Sequence, residues 1–92
     1  MIIYAEVYFE LPLSQSLKDK RKVLQHLKDK IRKQYNVAMI EADYQDDWRS
    51  TVIEIVTLSL AYYQGEKTIL KIIDFIESHP EVMHIQYTIE RR

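Results

Sequence analysis

The stretch Ile2-Ile3-Tyr4-Ala5-Glu6-Val7-Tyr8-Phe9-Glu10-Leu11 alternates strictly in character. Ile3, Ala5, Val7, Phe9 and Leu11 fall on one side, and Tyr4, Glu6, Tyr8 and Glu10 on the other. A period of two is the mark of a strand with one face in the core. Pro12 lacks the N–H a ladder needs and closes the run. Ser16 with Asp19 then matches the pattern of a reciprocal helix cap, which predicts a helix beginning near Leu17.

Working outward, Leu17, Val23, Leu24, Leu27, Ile31 and Tyr35 gather into one stripe when projected at about 100° per residue, so this helix faces a core. Asn36, a residue tolerant of the left-handed conformation, is the expected stop. Val37 to Asp43 reads as a second strand with Ala38, Ile40 and Ala42 facing inward, and Tyr44 to Ser50 as an irregular connection. Thr51 to Ala61 is rich in β-branched residues and reads as a longer third strand, with Ile53 and Ile55 toward the helices. Gln64 and Gly65 are the expected turn. Ile69, Leu70, Ile72, Ile73 and Ile76 predict a second helix from Glu66 to His79, blocked beyond by Pro80. Met83, Ile85, Tyr87 and Ile89 alternate through a last strand.

The order strand-helix-strand-strand-helix-strand, with right-handed crossovers, predicts an α+β fold: a two-layer ferredoxin-like βαββαβ domain with a four-stranded antiparallel sheet and both helices on one face. The first and third strands become central. The 92 residues fit a single domain, 1–92, and chains of this size bury about two-thirds of their unfolded surface. With 47% hydrophobic and 29% charged residues the composition is globular. The absence of cysteine excludes disulfides, thiolate metal sites and thiol catalysis, and fits a reducing cytoplasm. No apolar run approaches the roughly 20 residues that span a bilayer, and no secretory leader pattern is present.

Charge is distributed unevenly. Ser16 to Asn36 holds eight Lys or Arg against two Asp, +6, and the remaining residues hold five against twelve, −7, for a total of −1. Lys18, Arg21, Lys22, Lys28, Arg32 and Lys33 project onto a broad arc beside or opposite the apolar stripe, a surface suited to the phosphates of structured RNA or the ribosome. The same arc is equally what a solvated helix face looks like. Lys20 projects into the apolar arc and is expected to snorkel past the sheet edge.

The sheet face away from the helices should carry Tyr4, Tyr8, Val56 and Leu58. Apolar surface of that kind points to self-association as a homodimer, in which case the protein is a structural or interaction module that binds no nucleic acid. Base stacking on Tyr4 and Tyr8 is the sharper alternative, but Thr51 to Leu60 lacks the glycine- and aromatic-rich signature of an RNA-recognition motif.

Chemistry is sparse. Glu41, Asp43, Asp46 and Asp47 read as a solvated acidic turn with no glycine to shape a cation loop, and Trp48 as a loop anchor packed on the domain edge. His79, Glu81 and His84 match no zinc spacing, and His26 stands alone. Without an alternative base, nucleophile or Gly-rich phosphate loop, Ser14, Ser16, Ser50, Ser59 and Ser78 have no catalytic company. No catalytic residue, cofactor, metal or small-molecule substrate is therefore expected.

Four short motifs, Ser16-Leu17-Lys18-Asp19-Lys20-Arg21, Tyr35-Asn36-Val37, Glu41 with Asp46 and Trp48, and Ser78-His79-Pro80-Glu81, occur in an order that resembles the YlxP-like family of bacterial proteins, domain of unknown function 503. The resemblance runs end to end. It implies a ferredoxin-like fold and, for many members, a genomic association with translation and ribosome assembly. It carries no established activity and no catalytic residues, so Ser16 to Arg21 enters only as a helix cap and basic patch.

Overall fold

A computed structural model describes all residues, 1–92. The chain runs β1 (Ile2–Glu10), α1 (Leu17–Gln34), β2 (Ala38–Asp43), β3 (Ser50–Leu58), α2 (Tyr62–Glu77) and β4 (Met83–Arg91). The sheet order is β2-β3-β1-β4 with every neighbouring pair antiparallel, the two-layer α+β topology expected from the pattern.

The core lies between sheet and helices. Ile3, Ala5, Val7 and Phe9 of β1 and Ile53 and Ile55 of β3 meet Leu24, Leu27 and Ile31 of α1 and Ile69, Ile72, Ile73 and Ile76 of α2. Apart from Ala5, each is a Val, Leu, Ile or Phe side chain worth roughly 1.5–3 kcal/mol when fully withdrawn from water. Register follows from this pattern, because a slip of one residue would turn the whole apolar row to solvent. Ile55 sits opposite Ala5, and Ile53 opposite Val7.

The start of α1 is fixed by Ser16, whose Oγ accepts from the Asp19 N–H at 3.0 Å while Asp19 Oδ2 accepts from the Gln15 N–H at 3.0 Å. Its end departs from expectation. Tyr35 terminates the helix in extended backbone (φ −133°), and Asn36 is not left-handed; its carbonyl accepts from Thr57 Oγ1 at 3.1 Å.

Three further readings are corrected. Met39 and Glu41, not Ala38, Ile40 and Ala42, face the helices, because Met39 pairs with the inward Ile55 and Glu41 with the inward Ile53. A six-residue strand with apolar residues on both faces gives no sequence signal that settles this parity. β3 closes at Leu58, and α2 begins at Tyr62, so Gly65 lies in the first turns of a helix and not in a connection. A Cβ there would stand 2.3 Å from Ile3 Cγ1, so the missing side chain lets α2 settle on β1. Lys20 does not snorkel; it is fully buried.

Candidate functional site

α1 presents two opposed faces. Leu24, Leu27 and Ile31 are buried on the sheet, while Lys18, Arg21, Lys22, Lys30, Arg32 and Lys33 are exposed and Lys28 is half-buried. None of these seven cations has a carboxylate within 4.0 Å. The two acids of the helix are engaged elsewhere: Asp19 closes the cap, and Asp29 accepts from Gln25 Nε2 at 2.8 Å. Arg32 donates from Nη2 to the Met39 carbonyl at 3.2 Å, which fixes its stem against β2. Arg21, Gln25 and Lys28 line a shallow cleft of about 180 Å³ with Leu24, Glu41 and Ile53. The basic residues named from the sequence thus all lie along α1, exposed except for the half-buried Lys28.

Beneath that ridge Lys20 is used internally. Its Nζ lies 2.9 Å from Glu41 Oε2 and donates to the Tyr44 carbonyl at 2.6 Å and the Ser50 carbonyl at 3.2 Å. Glu41 in turn accepts from Thr51 Oγ1 at 2.6 Å. The first turn of α1 is therefore tied to both ends of the β2–β3 connection. A long side chain in an apolar arc has two physical outcomes, escape to water or an internal partner, and the partner, Glu41, lies too far along the chain for spacing to reveal it.

The open sheet face is divided. Ile2, Leu58, Val56, Ala38 and Ile40 form an apolar corner, with Leu58 78% and Ile40 58% exposed. Ile40 belongs to this face because of the inverted parity of β2. Tyr4 lies on the face as expected yet is only 6% exposed, because the Arg92 guanidinium sits 3.8 Å above its ring and Glu54 and Glu6 flank its hydroxyl. It has little ring surface left for stacking. Tyr8 is half-buried and lies edge-to-face against Tyr44, with ring centroids 5.8 Å apart. Across the middle of the sheet Glu6 stands directly opposite Glu54, and Glu10 and Glu90 extend the row, so carboxylates crowd the centre of this face. The Tyr4 hydroxyl donates to Glu54 and Glu6; the Glu54 hydrogen bond, with burial and the two negative charges, pushes its pKa up to about 12. The Tyr8 hydroxyl donates to Glu10, and that bond raises the phenol above its ordinary value.

Elsewhere the polar groups serve the backbone. Asp47 Oδ1 accepts from the Arg49 and Ser50 N–H groups at 2.8 and 3.1 Å, and Asp43 Oδ1 from the Tyr44 N–H at 2.7 Å, which shapes the acidic turn around a left-handed Tyr44 (φ 61°). Trp48 is half-exposed, so it does not anchor that turn as its size led us to expect. No three His, Asp or Glu side chains converge. The hydroxyls of Ser14, Ser59 and Ser78 donate to backbone carbonyls within three residues. His79 Nδ1 accepts from the Glu81 N–H. No helix is long and apolar enough to cross a membrane.

Among solved structures, the chain is similar to the designed proteins Foldit4 (TM-score 0.65, 10% identity, 100% and 99% of the two chains) and LFR1, described as having a ferredoxin fold (0.61, 16%, 100% and 87%). It is also similar to SnoaB, a cofactor-independent oxygenase from Streptomyces nogalater (0.58, 7%, 99% and 91%). At these identities the likeness is one of fold alone. In sequence the chain is similar to the uncharacterized protein YlxP of Bacillus subtilis (strain 168), 35% identical over 82 residues that cover 89% of each chain. The model of the family described as "Protein of unknown function (DUF503)" matches residues 2–89, and the chain belongs to that family.

Proposed function

We propose that this domain is a non-catalytic accessory factor that binds structured RNA, ribosomal RNA included, in the cytoplasm, with the solvent side of α1 laid against the phosphate backbone. The observation that carries this reading is the absence of any carboxylate within 4.0 Å of Lys18, Arg21, Lys22, Lys28, Lys30, Arg32 and Lys33 on a chain whose net charge is −1. A helix face that served only for solubility would gain from local acid pairs, and such pairs are inexpensive to form at i, i+4 spacing. Seven unneutralised cations on one side instead concentrate positive potential there, and each phosphate they meet releases a condensed counterion. The carboxylate row on the open sheet face repels phosphate, so the two sides of the domain orient the RNA toward α1. The hydroxyls of Ser14, Ser59 and Ser78 are committed to backbone carbonyls, which supports the non-catalytic part of the reading.

Filter binding of a folded ribosomal RNA fragment across several salt concentrations tests it. Affinity should fall steeply with salt, with a log–log slope of roughly −0.7 to −0.9 per phosphate contact. Lys18→Glu, Lys22→Glu and Lys33→Glu together should weaken binding by more than ~10-fold and flatten the slope, since each removed contact lowers it by about one. Lys67→Glu with Lys71→Glu on α2 should leave both unchanged. Affinity indifferent to the α1 reversals rejects the proposal.

A further inference from the structure

The sheet has two free edges, β2 and β4, and they are not alike. β2 is six residues long, shifts register between Glu41 and Asp43, and ends in the acidic turn. Short length, a bulge and charge are the means by which sheet edges are blunted. β4 runs nine residues and contains neither proline nor lysine. Its outward groups can be identified. The Arg92 N–H donates to the Ile2 carbonyl at 2.9 Å, and inward and outward residues alternate along an antiparallel ladder. Glu90, Thr88 and Gln86, opposite Tyr4, Glu6 and Tyr8, therefore turn their backbone groups toward β1. Ile85, Tyr87, Ile89 and Arg91 turn theirs to solvent. The side chains of Ile85, Tyr87 and Ile89 lie on the helix side, where the helical layer runs out: both isoleucines are half-buried at the core's rim, and Tyr87 is 48% exposed.

We infer that a second copy of this chain pairs antiparallel along β4, with the twofold axis at Tyr87, joining the two sheets into one. Tyr87 is the midpoint of Met83–Arg91, so this register gives the longest paired stretch. The central facing pairs are compatible: Ile85 meets Ile89 of the other copy on the helix side, Gln86 meets Thr88 on the open side, and Tyr87 meets itself, while Met83 and Arg91 face each other only at the bent ends. The pairs Ile85–Ile89 and Tyr87–Tyr87 are those whose N–H and C=O groups both point outward, so each exchanges two hydrogen bonds. Moving the axis to Gln86 or Thr88 shortens the paired stretch, and at Thr88 it sets Ile85 against Arg91. The left-handed His84 (φ 56°) and the register shift between Tyr8 and Glu10 bend the first residues, which places the centre of the joint at Ile85–Ile89. The edge is also the electrostatically easier joint. A face-to-face dimer through the open sheet would press Glu6, Glu10, Glu54 and Glu90 of one copy onto those of the other. With the axis normal to the sheet, both helical layers lie on one side. At the usual ~10 Å between helix axes the two α1 ridges then stand roughly 30 Å apart.

Sedimentation velocity of the full chain over a wide concentration range, with circular dichroism, tests this inference. The wild type should dimerise. Tyr87→Lys sets two ammonium groups opposite each other on the axis and should weaken the dimer at least ~10-fold with an unchanged spectrum. Because the chain has no cysteine, a single thiol is diagnostic. Hydrogen-bonded antiparallel pairs hold Cα atoms about 5.5 Å apart, within disulfide reach, so Tyr87→Cys should oxidise to a covalent dimer faster than Leu58→Cys on the open face. A wild type that stays monomeric at high concentration, or cross-linking of Leu58→Cys ahead of Tyr87→Cys, overturns the inference. Should Tyr87→Lys fail to fold, the cysteine pair decides alone.

Discussion

The Lys20 ammonium lies 2.9 Å from the Glu41 carboxylate at the end of a side chain with no solvent exposure, and it joins the first turn of α1 to the connection between β2 and β3. Glu41 remains 18% exposed at its side chain, so water reaches only one partner. Removing that partner leaves the other charge poorly solvated. Lys20→Ala should therefore cost about 3–5 kcal/mol in urea unfolding. Lys20→Met combined with Glu41→Leu should recover only part of the loss, because an apolar pair carries no desolvation penalty but the buried Thr51 hydroxyl and the Tyr44 and Ser50 carbonyls lose their partners. A Lys20→Ala variant within ~1 kcal/mol of wild type would show the pair to be dispensable.

Tyr4 provides an alkaline signature. The Glu54 hydrogen bond, together with burial and neighbouring negative charge, holds its phenol near 12 against an ordinary value of 10.0. A group whose folded pKa is raised contributes stability that is fully present below the unfolded value and is lost as pH climbs through the folded one. Stability should therefore decline between pH 10 and about 12 as the unfolded chain releases this proton first. Tyr4→Phe should lower stability at neutral pH and flatten that decline. Phenolate absorbance, followed by titration, should show an ionisation near pH 12 that Tyr4→Phe removes.

The fold was legible because three of its elements carry unmixed signals. Alternation in Ile2–Glu10, the cap and stripe of Leu17–Gln34, and β-branching in Ser50–Leu58 each admit one reading. β2 was not legible in the same way. Ala38, Met39, Ile40 and Ala42 are apolar on both parities, and only pairing with Ile55 decides that Met39 turns inward. The candidate ridge on α1 could be read because helical spacing fixes which cations share a side. The open face could not, since whether Tyr4 is exposed depends on Arg92, 88 residues away in sequence and 3.8 Å above its ring.

Gly65 tests the helix–strand approach. A methyl group there meets Ile3 Cγ1 at 2.3 Å and Ser59 Cβ at 3.1 Å, and Ile3 is fully buried with nowhere to move. Overpacking of this kind costs roughly 1–3 kcal/mol. The intrinsic helical preference of alanine over glycine returns only about 1 kcal/mol. Gly65→Ala should thus destabilise the domain on balance, and a thermal midpoint above wild type would show that α2 can lift from β1 without loss.

Glu6 and Glu54 stand directly opposite each other on the two central strands, an arrangement that costs stability in a sheet. The Tyr4 hydroxyl donates to both, which offsets the repulsion without removing it. Glu6→Gln keeps the shape, relieves the like-charge pair and leaves the Glu54 hydrogen bond in place, so it should stabilise by about 0.2–1 kcal/mol at neutral pH. Added salt should shrink the gain, because these carboxylates are open to water and screened within about 10 Å at 0.1 M. If α1 alone receives RNA, the same variant should leave RNA affinity within about twofold of wild type, since one charge removed from the far side acts on α1 only across the thickness of the domain, about two Debye lengths at 0.1 M. A Glu6→Gln protein that binds RNA markedly tighter would relocate the binding surface to the sheet.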